Sequence, residues 1–185
     1  MKPRHAPADT VLLHGVPDPS LFDLLREKKE HGTLTRVFVA EGRPHLYGAG
    51  VLSGAVRELG IRTVLIADSM IAFCFSKGLV GEAMLFYQDV SASGATCSIG
   101  SHLAGICALR HRVRVCLYPS SGRGDAYGAP EDVFHFNGVR TAPERISAYV
   151  PLTEVVPWKY ISRLLTKDGK AYLSYKELVR GGGDG

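Results

Sequence analysis

The chain has 185 residues, 45% of them apolar and 22% charged, with a formal net charge of +4, a length that suits one domain with a substantial core. Its apolar runs fall well short of the roughly 20 residues a membrane helix needs. Met1–Asp9 lacks the apolar stretch of a signal peptide, and basic residues are spread along the chain rather than gathered into an arm. No membrane partner is therefore expected, nucleic acid is not favoured, and a cytoplasmic protein is the expectation.

The elements follow in chain order. Residues 1–9 are expected to be flexible. Val11–His14 is a first apolar run. Asp18-Pro-Ser20 then opens a helix with Leu21, Phe22, Leu24 and Leu25 over a charged Arg26–Glu30 end, stopped at Gly32. Arg36–Ala40 reads as a second strand, followed by the Glu41-Gly-Arg-Pro44 loop. A helix from about Leu46 to Leu59 ends at Gly60. Arg62–Ala67 is a third strand, Ser69–Ser76 a short helix, Ala83–Gln88 a fourth strand and Ile99–Arg110 a helix rich in small residues. Val113–Tyr118 is a fifth strand, and the polar, glycine-rich Pro119–Asp125 loop is expected to be mobile. Asp132–Phe136 is a short apolar piece and Ala148–Val150 is strand-like. A closing helix is expected near Pro157, a favoured first-turn proline, and 181–185 should be disordered.

Strands separated by helices of about 10 to 15 residues imply right-handed crossovers and a parallel sheet covered on both faces. The expected architecture is one Rossmann-like α/β domain over residues 10–180. The Gly-Ala-Gly-Val-Leu-Ser-Gly stretch at 48–54 resembles a dinucleotide fingerprint. Its last spacing is one residue too long and no strand runs directly into it, so its glycines are read as permitting close helix packing. Cys74, Cys97, Cys107 and Cys116 have no metal or disulfide spacing and read as reduced, buried thiols. Neither a metal nor a cofactor is expected.

Ligands in such sheets sit beyond the carboxyl ends of the strands. That rule gathers His14 and Gly15, Glu41 and Arg43, Asp68 and Ser69, Asp89, and the loop after Tyr118. Each has a plain structural use: His14 can cap a buried strand end, Glu41 and Arg43 can form a solvated turn, and Asp68 can cap the helix it precedes. Asp89 ends an apolar strand, and the small residues after it lead into the helix at Ile99-Gly100-Ser101. Free N–H groups at that helix start could cradle an anion, and Arg43 could add a bidentate fork. A carboxylate beside an anion cradle suits a phosphorylated sugar. With a raised pKa the carboxylate could move a proton between adjacent carbons.

Val37-Phe-Val-Ala-Glu-Gly-Arg-Pro-His-Leu-Tyr-Gly48, Gly60-Ile-Arg-Thr-Val-Leu-Ile-Ala-Asp-Ser-Met70 and Ser98-Ile-Gly-Ser101 resemble the initiation factor 2B α/β/δ-subunit family. That family also contains isomerases of methylthioribose 1-phosphate and ribose 1,5-bisphosphate. Pro151-Leu-Thr-Glu-Val-Val-Pro157 resembles its C-terminal Asp-Val-Thr-Pro element, so the resemblance runs from about Thr10 to Thr166. It implies a bound phosphorylated sugar or nucleotide, with Arg43 on the phosphate and Asp68, Gly15, Gly100 and Ser101 also at the ligand. Asp89 falls where the isomerases keep a catalytic aspartate. Cys97-Ser98 replaces an Asn-Lys pair, which removes a cation. Gly15 stands where the isomerases carry a cysteine, as in some regulatory subunits, so Cys97 or His14 would have to supply the missing acid. Three functions follow as expectations: a sugar-phosphate or nucleotide-binding domain without the full isomerase machinery, an aldose–ketose isomerase, or a non-catalytic assembly subunit. The resemblance further implies a homodimer. A helical N-terminal domain precedes this fold in relatives, so a separate partner chain could complete the site.

Overall fold

The computed structural model describes residues 7–121, 126–136 and 138–181. The first half alternates strand and helix: β1 (Thr10–His14), α1 (Ser20–Glu30), β2 (Arg36–Ala40), a π-helical turn Gly48–Leu52 running into α2 (Ser53–Glu58), and β3 (Arg62–Ile66). A 3-10 turn, Asp68–Met70, leads into α3 (Ile71–Ser76), followed by β4 (Glu82–Ser91), β5 (Gly94–Ser98), α4 (Ser101–His111) and β6 (Arg114–Pro119). The remainder comprises α5 (Glu131–Phe134), β7 (His135–Phe136), β8 (Val139–Arg140), β9 (Thr153–Pro157), β10 (Arg163–Leu165), β11 (Ala171–Tyr172) and α6 (Tyr175–Gly181).

The central strands lie in the order β3-β2-β1-β4-β6-β10, each parallel to its neighbour. This is the doubly wound order, in which the chain starts at the centre and winds outward both ways. The Rossmann-like α/β expectation is met. The strands read as continuous apolar runs because both faces are covered: every residue of β1 is buried. On one face Val11, Leu13, Val37, Val39, Met84 and Phe86 pack against Leu21 and Leu25 of α1 and Val56 of α2. On the other, Leu12, Phe38, Ala83 and Leu85 meet Ile71, Cys74 and Phe75 of α3 and Ala104 and Ala108 of α4. Side chains as fully buried as Phe86, Leu12 and Leu85 each contribute about 1.5–3 kcal/mol.

Three sequence expectations are overturned, all from Asp89 onward. The small residues after Asp89 do not form an irregular approach to a helix. β4 runs on to Ser91 and returns as the antiparallel β5. Gly94, at φ +154°, lets a third strand pack against the return, because a Cβ there would collide with the Val156 carbonyl oxygen. The C-terminal third differs as well. Ala148–Val150 carries no strand, and Pro157 starts no helix. Instead Thr153–Pro157 is β9, paired residue for residue with β5. Pro157 ends that strand in extended geometry, φ −62° and ψ 145°, and a proline is tolerated at a strand terminus because its missing N–H costs no ladder bond there. The closing helix is α6, which starts at Tyr175.

Part of the expected N-terminal flexibility falls on residues tied to the sheet. The Asp9 carbonyl accepts from the Thr35 N–H at 2.8 Å and its carboxylate from the Thr35 hydroxyl at 2.6 Å. Residues 1–6, 122–125 of the Pro119–Asp125 loop, 137 and 182–185 lie outside the described residues. Within the glycine stretch at 48–54, Gly48 packs the π-helical turn against the end of β2, where a Cβ would run into the Ala40 carbonyl oxygen. Backbone cannot yield as a side-chain tip can. Gly48→Ala is therefore expected to cost at least about 2 kcal/mol, while Gly50→Ala, whose Cβ would meet nothing within 4 Å, should be near neutral. Urea denaturation of the two variants checks the contrast.

Candidate functional site

Between β1 and β4 the winding direction reverses, and at such a switch point the loops leave in opposite directions and open a crevice. A cavity of about 290 Å³ sits there. Its wall is assembled from the ends of β1 (His14, Gly15), the loop after β2 (Gly42–His45), Tyr47 and Gly48, Gln88 on β4, Ser98 and Ile99 after β5, and Leu152 and Thr153.

The floor is set by a close crossing. His14 is 1% exposed, and its Nε2 donates to the Ile99 carbonyl at 3.0 Å. Gly15, at φ +104°, passes so near that a Cβ would lie 3.0 Å from the Ser98 hydroxyl oxygen. Gly100, at φ +93°, would place a Cβ 3.0 Å from His14 Nε2. The two glycines let the end of β1 and the start of α4 touch.

Asp68 does not cap the turn it begins. Its carboxylate reaches across to the loop after β2, accepting from the Gly42 N–H at 2.9 Å and the Arg43 N–H at 2.7 Å. The Arg43 guanidinium leans on Phe136, 5.6 Å from the ring centroid, and donates to the His135 carbonyl at 3.4 Å. No ion pair among the described residues engages Arg43. The neighbouring His45 pairs with Asp132 at 3.2 Å. Thus α5 and β7 brace the loop from outside.

The structure keeps several expected residues out of the cavity. Asp89 is exposed and pairs with Thr96. The β4–β5 ladder slips between Tyr87 and Asp89, and such a bulge re-aims side chains. Gln88 is the residue on the cavity wall, so the position next to the expected carboxylate presents an amide. Cys97 is fully buried among core side chains, where loss of solvent, and then the Glu154 carboxylate, push its thiol pKa up. The helix start at Gly100–Ser101 is not an open anion cradle either. The Glu154 carboxylate accepts from the His102 N–H at 2.9 Å, so an acid of the chain itself answers the positive end of α4. Ser101 is fully buried there.

Of the expected residues, His14, Gly15 and Arg43 line the cavity, Asp68 stands behind Arg43, and Asp89, Cys97, Gly100 and Ser101 lie elsewhere. Gln88, Tyr47 and Glu154 were not singled out from sequence. The end of the apolar run Ala83–Gln88 placed Asp89 at a strand end, and a bulge leaves no mark in the residue pattern. No group of three or more metal-ligating side chains occurs among the described residues, and no helix there is long and apolar enough to cross a membrane.

A doubly wound sheet with a cavity at its switch point defines a Rossmann-like α/β domain. The chain belongs to the initiation factor 2 subunit family, whose model matches residues 6–172. Among curated relatives, methylthioribose-1-phosphate isomerase of Thermus thermophilus is 29% identical over 161 residues, covering 80% of this chain and 49% of that protein. Its namesake from Syntrophobacter fumaroxidans is 32% identical over 146 residues, covering 72% and 42%. In fold, the δ subunit of initiation factor eIF-2B from A. fulgidus superposes with a TM-score of 0.82 at 20% identity, covering 92% of this chain and 55% of its own. The 5-methylthioribose 1-phosphate isomerase of Pyrococcus horikoshii gives 0.83 at 22%, covering 94% and 54%. The chain spans about half the length of these proteins.

The Cys97 environment has a direct chemical consequence. Only the thiolate alkylates readily, so iodoacetamide at pH 8 should leave Cys97 unmodified in the native protein and label it in urea, as read by peptide mass spectrometry. Because folding raises this thiol's pKa above its ordinary 9.0, the native state holds the proton that the unfolded chain releases. Its contribution to stability is complete below about pH 9 and declines as pH rises further.

Proposed function

We propose that this domain binds a phosphorylated sugar or nucleotide in the switch-point cavity and does not itself carry out an aldose–ketose isomerisation. The observation that carries the reading is Arg43: it lines the cavity, no carboxylate among the described residues pairs with its guanidinium, and its backbone is anchored. A planar fork of this kind matches a phosphate bidentately. The apolar part of the wall, Val16, Pro44, Tyr47 and Leu152, suits a ring face or an apolar substituent.

The case against turnover is also chemical. Moving a proton between adjacent carbons requires an acid and a base at the reacting atoms. The residues lining the cavity include neither Asp, Glu nor Cys: Gln88 offers an amide, Gly15 has no side chain, and Cys97 and Asp89 face elsewhere. His14 and His45 are at the wall, but His14 Nε2 is committed to the Ile99 carbonyl and His45 Nε2 to the Asp132 carboxylate. The relatives named methylthioribose-1-phosphate isomerase supply the candidate ligands.

A second reading concerns assembly. Met70 just before α3, Phe73 in α3, and Leu103, Ile106 and Leu109 along α4, are each between 43% and 62% exposed. Large apolar side chains repeated at helical spacing on neighbouring helices suit a self-association face, and a homodimer through α3 and α4 is the form we propose. Static light scattering that returns a monomer would remove it, and a dimer that survives Leu103→Glu with Leu109→Glu would move the interface elsewhere.

For the ligand site, thermal melting with 5-methylthioribose 1-phosphate, ribose 1,5-bisphosphate and AMP should show at least one shift. Its size should be about 5–10 °C at a hundredfold excess over Kd, and Arg43→Ala should cut it to less than half at the same ligand concentration while leaving weak, measurable binding. A shift of undiminished size in Arg43→Ala excludes Arg43 as the phosphate residue. Proton NMR of the same mixtures should show no ketose product, and accumulating product would overturn the non-catalytic part.

A further inference from the structure

We infer that Asp68 is a positioning residue: it fixes the Gly42–Arg43 turn, and so presents Arg43 to the cavity, without touching the ligand. The inference rests on the proposed site and gives Arg43 its anchor.

Gly42, at φ +76°, bends the chain so that its N–H and the next one converge. Successive N–H groups turned inward make a concave cradle that attracts an anion. Here the anion is internal. One carboxylate oxygen of Asp68 takes the Gly42 N–H at 2.9 Å and the other takes the Arg43 N–H at 2.7 Å. Both are charge-assisted bonds, stronger than neutral ones. A turn held at two consecutive amides has little freedom left, so the Cα–Cβ direction of Arg43 is set before any ligand arrives. Preorganisation of this kind lowers the ordering cost of binding.

The carboxylate faces β1 as well. Oδ1 lies 3.8 Å from His14 Nδ1, a ring nitrogen that is buried and without a hydrogen bond. Asp68 therefore stands where the ends of β1, β2 and β3 meet. It has only 25% of its side chain exposed and no place on the cavity wall. A ligand-contacting acid would need an oxygen free toward the cavity, and it would repel a phosphate there. An acid spent on the amides behind Arg43 does neither.

The test separates the loop from the ligand. In unliganded protein, hydrogen exchange read by NMR should show the Gly42 and Arg43 amides protected. Asp68→Asn and Asp68→Ala should speed their exchange at least tenfold while Val37 and Val39 in β2 are unchanged. Sodium formate, a free carboxylate, should restore part of that protection in Asp68→Ala. Binding of 5-methylthioribose 1-phosphate, followed by ligand-detected NMR, should weaken at least tenfold in Asp68→Asn. In an Arg43→Ala background the same change should alter affinity less than twofold, because Asp68 acts through Arg43. Unprotected amides in the wild type overturn the inference even where the variants fail to fold, and so does exchange unaffected by either substitution. Equal loss of affinity in both backgrounds overturns it in favour of direct contact. Faster exchange with full affinity in Asp68→Asn and in Arg43→Ala upholds the anchoring of the turn and overturns the proposed ligand site instead.

Discussion

The close approach of β1 to the entry of α4 is the constraint on which the cavity depends. One hydrogen bond, from His14 Nε2 to the Ile99 carbonyl, joins residues 85 positions apart. It exists because no Cβ intervenes at Gly15 or Gly100. A side chain at either glycine would force the elements apart and require φ values that L-residues rarely adopt. The buried imidazole seals the bottom of the cavity while the glycines keep its floor low. The space left above belongs to backbone, to Ser98 and to the loop after β2.

The β4–β5–β9 extension then decides which groups face that space. In a plain doubly wound domain, β4 would end and a loop would carry the chain into α4, leaving the helix start open. Here the chain adds an antiparallel pair first. The ladder turns Gln88 inward at its bulge and Asp89 outward, buries Cys97, and brings Glu154 of β9 to the first turn of α4. The positive end of the helix is thereby balanced within the fold, which leaves Arg43 as the cationic feature of the wall. The same few residues thus close the helix start to an outside anion, which is why the proposed site rests on the turn after β2.

The parallel half of the fold was legible in the sequence because its signal is strong and local. Unbroken apolar runs at Val11–His14, Arg36–Ala40 and Val113–Tyr118, punctuated by Gly32, Gly60 and the helix between them, permit few architectures other than a covered parallel sheet. The lining of the cavity was legible at His14, Gly15 and Arg43, which sit at or just beyond the carboxyl ends of strands. It was not legible where pairing between distant segments decides the outcome. Gly-Ala-Thr-Cys-Ser becomes a strand through Thr153–Pro157, more than fifty residues away, and neither segment is apolar enough to announce itself. Asp89 and Gln88 exchange places for the same reason, since which neighbour faces inward is fixed by register with β5 and not by either side chain. Asp68 was legible as a strand-end acid, but its partners, two backbone amides on another loop, carry no sequence identity at all.

The chemistry of the cavity follows from that arrangement. Electrostatic binding of an anion needs a fixed positive group and a low cost of ordering it, and a guanidinium on a braced turn meets both needs. Proton transfer has a different requirement, namely a titratable pair whose members reach the same substrate atoms. On the proposed reading, binding asks little of Gln88 and Gly15, because an amide can hydrogen-bond a hydroxyl and a glycine leaves room. Proton transfer asks more of the same positions, since neither an amide nor a glycine readily accepts or releases a proton. A fold whose walls come from separate strand ends can separate the two capacities, because the residues proposed to hold an anion and those that would move a proton are carried on different segments. Arg43 depends on β2 and Asp68, whereas the inward residue of β4 depends on β5.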